Sequence, residues 1–209
     1  MESIRIPQST FRNRVIYPVI LAVPDTVKKL SPKERVRFLS MHARRAVAVS
    51  AEKSRIPLGK LKHDERNAPL PFNGNFWSIT HKPEYVGAVV APSPIGIDIE
   101  KICKRTQSLF QKTASDAEWA LADTTATTFF RYWTAKEAVL KAVGIGLKDL
   151  AKCRVVRILN DHHLALEHNG QKWKVEHRFF NGHIASVIKN DFEIDWTINS
   201  SQNDWNAGR

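Results

Sequence analysis

The stretch FFRYWTAKEAVLKAVGIG, residues 129–146, has the spacing of an amphipathic helix. Trp133 and Leu140 are seven positions apart and so lie on one face, which predicts that this face is buried. Glu137 lies between them on the same face. An ionised carboxylate that faces a core is costly unless something positive or hydrogen-bonding compensates it. We therefore expect a partner for Glu137 elsewhere in the chain.

The helix is expected to run from about residue 126 to 143 and to end at Gly144, because glycine suits the last turn of a helix. Lys141 follows Glu137 by one turn and points in nearly the same direction. The ordinary interpretation is a Glu–Lys pair on the protein surface. That interpretation requires a solvent-exposed helix face, and the apolar neighbours Trp133 and Leu140 argue against such exposure. Lys136 lies off this line, so we expect it to reach another part of a ligand or solvent.

The stretch PIGIDIEK, residues 94–101, supplies candidates for the site around Glu137. In a strand its isoleucines lie on one face, while Asp98 and Glu100 project from the other. A strand with a polar outer face is the ordinary interpretation. However, Mg²⁺ is commonly held by one or two carboxylates together with a polyphosphate. With Glu137 as a third carboxylate, the sequence favours a Mg²⁺ site at Asp98, Glu100 and Glu137.

Composition indicates an ordinary globular protein. At 209 residues and 43% apolar content, the chain can form one large domain or two small ones. Cys103 and Cys153 have neither zinc-site nor disulfide-framework spacing, which favours a reducing, cytoplasmic setting. The start, MESIRIPQST, lacks a secretory pattern, and the early apolar run VIYPVILAVP is too short to span a bilayer. We expect no targeting or membrane segment.

Positive charge is concentrated in the first third of the chain. Of the net charge of +11, residues 1–72 contribute fifteen Lys and Arg against six Asp and Glu. Such a region can meet nucleic acid, an anionic membrane surface, a polyphosphate ligand or an acidic protein, and charge alone does not choose among them. A nucleic-acid-binding protein is therefore one alternative, although no known reader motif is present.

Helices and strands recur in two similar halves. Ser31 and Glu34 predict a capped helix with a buried stripe at Val36, Leu39, Ala43, Ala46 and Val47. YVGAVV at 85–90 resembles HIASVI at 183–188, and each follows a helical segment. We therefore expect an α+β fold of two halves, each with a helix packed on an antiparallel sheet. The expected boundaries are 1–100 and 101–198, with a polar tail at 199–209.

Three segments together resemble the 4′-phosphopantetheinyl transferase superfamily. They are SITH at 78–81, GIDIE at 96–100 and WTAKEAVLK at 133–141, and they match its signatures in order and spacing. The chain length is similar to that of the surfactin-synthetase-type members, in which two halves of one chain form a pseudo-dimer. The resemblance implies a monomer with its active site between the halves.

The resemblance also implies a reaction and residue roles. A serine of an apo acyl- or peptidyl-carrier protein attacks coenzyme A, and 3′,5′-ADP leaves. Asp98, Glu100 and Glu137 are implied to bind Mg²⁺ at the pyrophosphate, with Glu137 as ligand or general base. Lys141 and His81 are implied to contact phosphate. The full set of expected coenzyme A contacts is Arg37, Arg44, Arg45, Arg66, Thr80, His81, Lys136 and Lys141, with the three α-helical arginines assigned to the 3′-phosphate. Neither nucleic acid nor membrane is an expected partner.

The chain departs from the family pattern at three places. Thr80 stands where serine is usual, and Lys82 follows His81 where a small polar residue is common. NAP at 67–69 replaces the usual Gly-Lys-Pro, so Arg66 is expected to supply the missing charge. These departures concern the phosphate contacts more than the reaction. A relative that binds coenzyme A or a carrier protein without catalysis is the second alternative.

Overall fold

The computed structural model describes residues 15–199, the side chain of Leu147 excepted. Its helices are α1 (Pro32–Lys53), α2 (Gln107–Thr113), α3 (Asp116–Trp119) and α4 (Ala126–Val143), with 3₁₀ turns at Asp25–Lys29 and Leu147–Lys152. Its strands are β1 (Val15–Ile16), β2 (Val19–Ala22), β3 (Lys62–His63), β4 (Pro69–Leu70), β5 (Phe76–His81), β6 (Tyr85–Ala91), β7 (Ile97–Lys101), β8 (Cys153–Asn160), β9 (His163–His168), β10 (Gln171–Phe180), β11 (His183–Ile188), β12 (Glu193–Ile194) and β13 (Thr197–Asn199). The predicted α+β class is confirmed, whereas the predicted polar tail beyond residue 199 lies outside the described residues.

The first layer is a four-stranded sheet covered by α1. Its strand order is β13–β2–β6–β5, in which β2 and β5 run antiparallel to β6 and β13 runs parallel to β2. Ala46 and Val47 of α1 pack against Trp77, Ala88 and Val90 of the sheet. Because these helix side chains are small, α1 packs closely on the sheet. Their contact forms a hydrophobic core separate from the larger core under α4.

The second layer is a five-stranded antiparallel sheet covered by α4. Its strand order is β7–β11–β10–β9–β8. Tyr132, Ala135 and Val139 of α4 are fully buried in the larger core, where they meet Leu166 and Val187 from the sheet. Residues of the opposite helix face, which includes Glu137, therefore lie away from this core.

The two sheets exchange edge strands. β7 precedes α4 in the chain but pairs with β11 of the second sheet, and β13 returns from the end of the described chain to pair with β2 of the first. β6 and β11, which carry the two similar segments, are each an internal strand beneath a long helix. This arrangement agrees with the predicted repeat; a pseudo-dimer and a division at residue 100 stay predictions.

The N-terminal cap of α1 is as predicted, but the predicted buried stripe starts too early. The backbone N–H of Ser31 donates to Glu34 Oε2 at 3.0 Å, and the Ser31 hydroxyl accepts from the Glu34 N–H. Val36, however, is 62% exposed, so its predicted burial is wrong. The first buried residue of α1 is Leu39, and the helix residues before it are exposed or partly exposed.

Gly96 allows β7 and α4 to touch backbone to backbone. A Cβ atom at this position would lie 1.8 Å from the carbonyl oxygen of Ala138. We expect Gly96→Ala to lower the free energy of unfolding by about 1–3 kcal/mol, because the backbone of α4 must move to admit the methyl group. Chemical denaturation checks this value.

Gly87→Ala is the matched control for Gly96→Ala. Gly87, in β6, is buried like Gly96, but its added Cβ meets the tip of the Ile99 side chain at 2.7 Å, which can rotate away. The control should therefore be the less destabilised of the two. Equal losses would contradict the assignment of the Gly96 effect to the helix backbone.

Within the part of the chain that the structure describes, no helix combines the length and apolar composition needed to cross a membrane.

Candidate active site

A cleft of about 1030 Å³ opens where the end of β5, the carboxylate face of β7 and α4 meet. Charged and polar side chains line much of it, in contrast to a cavity of about 260 Å³ near Val15 whose lining has no charged residue. The cleft lining includes Arg66, Ser78, Thr80, His81, Lys82, Asp98, Glu100, Trp133, Glu137, Leu140, Lys141 and Lys148. Of these two cavities, only the larger cleft is therefore lined by charged side chains.

Alternation along β7 places both of its carboxylates in the cleft. Ile97 and Ile99 are fully buried in separate cores, so the strand is fixed from its apolar face. Asp98 and Glu100 consequently project from the opposite face, as the sequence predicts. The Ser78 hydroxyl accepts from the backbone N–H of Ile97 at 3.2 Å and ties β7 to β5.

Asp98 joins β5, β7 and α4 through one oxygen atom. Its Oδ1 accepts from the Thr80 hydroxyl at 2.9 Å and from Lys141 Nζ at 2.8 Å. Lys141 also donates to the carbonyl oxygen of Ile97 at 3.0 Å, which fixes the ammonium over the strand. The other carboxylate oxygen, Oδ2, is buried and has no hydrogen-bond partner. One oxygen of Asp98 therefore has no hydrogen-bond partner among the described residues.

Glu100 is paired with a lysine from the turn after β5. Lys82 Nζ lies 2.6 Å from Glu100 Oε1. Although burial lowers the pKa of Lys82, the charges of Asp98 and Glu100 raise it above its ordinary value. The lysine is therefore cationic beside the carboxylates.

Glu137 reaches the same cleft from α4. It is half-buried, and no Lys or Arg nitrogen within residues 15–199 lies at salt-bridge distance from it. Burial and the negative charge of Asp98 raise the pKa of Glu137 to about 7, although Lys141 and Lys82 oppose the shift. Near neutral pH this carboxyl group can take up or release a proton.

Comparison with known proteins identifies the family. The family model of the 4′-phosphopantetheinyl transferase superfamily matches residues 94–206, which is more than half of the chain. The chain belongs to this superfamily. The match includes β7, α4 and the whole second sheet, and therefore the three carboxylates of the cleft.

Two curated proteins match shorter segments of this chain. One is a 4′-phosphopantetheinyl transferase of Bacillus subtilis, 29% identical over 96 residues that cover 44% of this chain and 43% of the relative. The other is the 4′-phosphopantetheinyl transferase gsp of Aneurinibacillus migulanus, 30% identical over 76 residues that cover 34% of this chain and 32% of the relative. The matched part thus spans less than half the length of either relative.

His81 and Arg66 lie at the cleft, where the superfamily resemblance expects phosphate contacts. Burial and the positive charges of Lys141 and Lys82 lower the pKa of His81, which favours a neutral imidazole. Arg66 is held by a tight loop in which Asp64 Oδ1 accepts from the backbone N–H of Arg66 at 2.9 Å. The walls of the cleft surround the His81 ring in part, but both residues keep solvent-exposed surface from which they can reach a ligand in the cleft.

The arginines of α1 do not line the cleft. Arg37, Arg44 and Arg45 are exposed on the helix that covers the first sheet. Their expected contact with the 3′-phosphate of coenzyme A stays a prediction.

The structure corrects the role that the sequence predicts for Lys136. Its side chain is fully buried, and its Nζ lies 2.7 Å from Glu118 Oε1 and 2.7 Å from the carbonyl oxygen of Thr113. Successive residues of a helix are rotated by about 100°, so Lys136 faces the core while Glu137 faces the cleft. The predicted coenzyme A contact of Lys136 is therefore wrong.

Lys82 is the cleft residue that sequence reasoning missed as a functional group. The sequence marks it as a departure from the family pattern but gives no reason to pair it with Glu100, eighteen residues later. The contact arises because the hairpin of β5 and β6 ends beside β7. No local spacing rule contains that information.

The donor set of the cleft fits a hard divalent cation at two carboxylates. Among the described residues, no group of three His, Cys, Asp or Glu side chains is arranged to hold a metal ion. Asp98, however, has an unpartnered buried oxygen, and no Lys or Arg nitrogen of the described residues lies at salt-bridge distance from Glu137. Two carboxylates with substrate phosphates suffice for Mg²⁺. Lys82 engages only Oε1 of Glu100, so the expected role of Glu100 as the third ligand stays a prediction.

Proposed function

We propose that this chain is a 4′-phosphopantetheinyl transferase that moves the phosphopantetheine group of coenzyme A to a serine of an apo acyl- or peptidyl-carrier protein. The observation that carries this proposal is the meeting of the two family signatures in one cleft. Lys141 of the helix signature lies 2.8 Å from Asp98 of the strand signature, and Glu137 faces the same space. A cytoplasmic monomer is part of the proposal.

The reaction makes one phosphorus–oxygen bond and breaks another. The serine hydroxyl oxygen attacks the β-phosphorus of coenzyme A, the bond from that phosphorus to the bridging oxygen breaks, and 3′,5′-ADP leaves. When bound at Asp98 and Glu137, Mg²⁺ would neutralise charge on the pyrophosphate and favour the leaving group. The protein must still position the phosphates and take up the serine proton.

The cleft contains side chains for both tasks. Lys141, His81 and Arg66 supply donors to phosphate oxygens, and Lys141 is held in place by Asp98 and the Ile97 carbonyl. Glu137 faces the same space and is the carboxylate that takes up the serine proton in this proposal. The serine proton goes to this carboxylate and is later released to solvent.

Incubation of the full chain with coenzyme A, Mg²⁺ and apo carrier proteins tests the proposal. The panel takes carriers from fatty-acid, polyketide and nonribosomal-peptide synthesis, and intact mass is measured. We expect at least one carrier to gain the mass of one phosphopantetheine group, and none to gain it without coenzyme A. The proposal fails if no carrier in the panel is modified. An Asp98→Asn chain serves as the inactive control.

A further inference from the structure

A row of three polar side chains crosses the second sheet beneath α4. Asp98 of β7 lies opposite Ser186 of β11, and Ser186 lies opposite His177 of β10. Directly opposed residues of antiparallel strands project from the same face of a sheet, so all three side chains lie on the face that α4 covers. Asp98 lines the cleft, whereas Ser186 and His177 are buried. The row therefore leads from the cleft into the protein interior.

Thr134 of α4 fixes the direction in which this row is hydrogen-bonded. Its hydroxyl donates to the carbonyl oxygen of Phe130 at 2.7 Å and is also hydrogen-bonded to the hydroxyl of Ser186. Because a hydroxyl has one proton, Thr134 accepts from Ser186, and Ser186 in turn accepts from His177 Nδ1, which lies 2.7 Å away. The imidazole therefore carries a proton on Nδ1. Its buried Nε2 has no hydrogen-bond partner among the described residues.

The surroundings of His177 favour a neutral imidazole. Burial lowers the pKa of His177 well below its ordinary value of 6.5, and the nearby Arg131, His163 and His162 lower it further. The ring thus has a single proton to donate, and the Ser186 oxygen accepts it. This leaves the Ser186 proton for Thr134.

Two side-chain anchors hold α4 to the sheet on either side of Glu137. Thr134, three positions before Glu137, is hydrogen-bonded to Ser186 of β11. Lys141, four positions after Glu137, donates to Asp98 of β7 at 2.8 Å. Ser186 and Asp98 are directly opposed in their strands, so both anchors act on one cross-strand pair. They fix the two helical turns that have Glu137 between them.

We propose that Thr134, Ser186 and His177 are positioning residues that set where the Glu137 carboxylate lies relative to Asp98. This inference rests on the proposed function, because it concerns the carboxylate that takes up the serine proton. Without the Thr134 anchor, the turn that carries Glu137 can shift over the sheet. A displacement of about 1 Å can cost an enzyme up to about 10²-fold in rate.

Initial rates of holo-carrier formation at varied coenzyme A concentration test the positioning role. Thr134→Val keeps the shape of the side chain without its hydroxyl, and we expect it to lower kcat about tenfold and to change the KM for coenzyme A by less than about twofold. The KM is spared because Lys141 keeps its own contacts with Asp98 and the Ile97 carbonyl. Thr134→Ser keeps the hydroxyl in a smaller side chain and should lose less than about threefold in kcat, whereas a role in packing alone predicts the reverse order.

Ser186→Ala removes the middle of the row and should also lower kcat about tenfold, so it replaces Thr134→Val if circular dichroism shows that variant to be unfolded. Ser50→Ala is the matched control in the other layer. The Ser50 hydroxyl is equally buried and also joins a helix to strands, since it donates to the Tyr17 carbonyl at 2.7 Å and accepts from the Val90 N–H at 3.0 Å. Its loss removes comparable hydrogen bonds far from Glu137, so kcat should stay within about twofold.

Nitrogen-15 NMR of the imidazole rings, recorded without coenzyme A or a carrier protein, tests the direction of the hydrogen bonds. In the unchanged chain His177 should be protonated at Nδ1 and unprotonated at Nε2. In Thr134→Val the Ser186 proton has lost its acceptor, so Ser186 should donate to Nδ1 and the ring proton should move to Nε2. Thr134→Ser should keep the original tautomer.

Three results would each overturn the inference. They are a His177 ring protonated only at Nε2 in the unchanged chain, a kcat of Thr134→Val or Ser186→Ala within about twofold of the original, and a Thr134→Ser loss as large as the valine loss. The NMR measurement gives a result even for a chain that transfers nothing, and such a chain loses its proposed function whatever the tautomer. A chain that modifies carriers equally well with and without the Thr134 hydroxyl retains its proposed function and loses this inference alone.

Discussion

Glu137→Gln is expected to lower the rate of phosphopantetheine transfer by about 10²–10⁴-fold, the range that loss of a general base produces. Glutamine keeps the size of the side chain but neither accepts a proton nor binds a hard cation well. Initial rates of holo-carrier formation, measured by intact mass, check the value. Glu167→Gln is the control, because Glu167 pairs with Arg154 at the surface, and it should retain the original rate.

Stability measurements separate lost chemistry from lost folding in the Glu137→Gln variant. The pKa of Glu137 is raised to about 7 from an ordinary value of 4.5, so the folded state favours the neutral carboxyl group. In the metal-free protein the ionisation of Glu137 therefore lowers stability as pH rises from about 4.5 to 7. At pH 8 we expect the Gln variant to be the more stable protein, by about 1–3 kcal/mol. A rate within threefold of the original would count heavily against Glu137 as base or ligand.

Lys136→Met should have the largest effect on stability, with a loss of about 3–5 kcal/mol in the free energy of unfolding. The substitution leaves Glu118 buried and charged without the ammonium that now lies 2.7 Å away. The backbone N–H groups of Ser115 and Val155 still donate to Glu118, but they carry no full charge. Urea denaturation at neutral pH measures the loss.

Two comparisons define the origin of the Lys136 effect. Adding Glu118→Gln to Lys136→Met should restore part of the lost stability, because the unpaired buried charge is removed. Lys28→Met, in the exposed pair of Lys28 with Asp25, should cost less than about 1 kcal/mol. A Lys136→Met protein as stable as the Lys28→Met protein would show that the buried pair is not stabilising.

The ion pair of Lys136 with Glu118 also predicts that the protein loses stability at acid pH. Despite burial, the hydrogen bond from Lys136 and the backbone donors lower the pKa of Glu118 below its ordinary value of 4.5. The stabilisation that ionised Glu118 gives to the fold is therefore complete above the pKa that Glu118 has in the unfolded chain. It is lost as pH falls through the pKa of Glu118 in the folded protein. The Glu118→Gln variant should show a smaller loss of stability below about pH 4.5.

Local patterns in the sequence predict the parts of the site that lie within one helix or strand. The spacing from Trp133 to Lys141 predicts the direction of Glu137 and Lys141, and the alternation in β7 predicts the direction of Asp98 and Glu100. In each case a single regular element fixes the face on which a side chain lies. The structure brings these side chains to one cleft.

Contacts between distant elements are beyond such patterns. Val36 has the right helical phase for burial, but it lies before Leu39, in the part of α1 where no helix residue is buried. Lys136 forms its ion pair with a residue of α3, and Lys82 forms one with a residue of β7. These pairings depend on how the sheets and helices are placed relative to one another, which one sequence alone does not specify.

The exchange of edge strands has a consequence for synthesis on the ribosome. β7 carries Asp98 and Glu100, but its partner β11 is made more than eighty residues later. Likewise, β2 receives β13 only when the segment Thr197–Asn199 has been made. Neither sheet can therefore be completed while the nascent chain is still being translated through its first half, and closure of such distant pairings is intrinsically slow. The carboxylate cleft is consequently assembled late, after nearly all of the described chain has emerged.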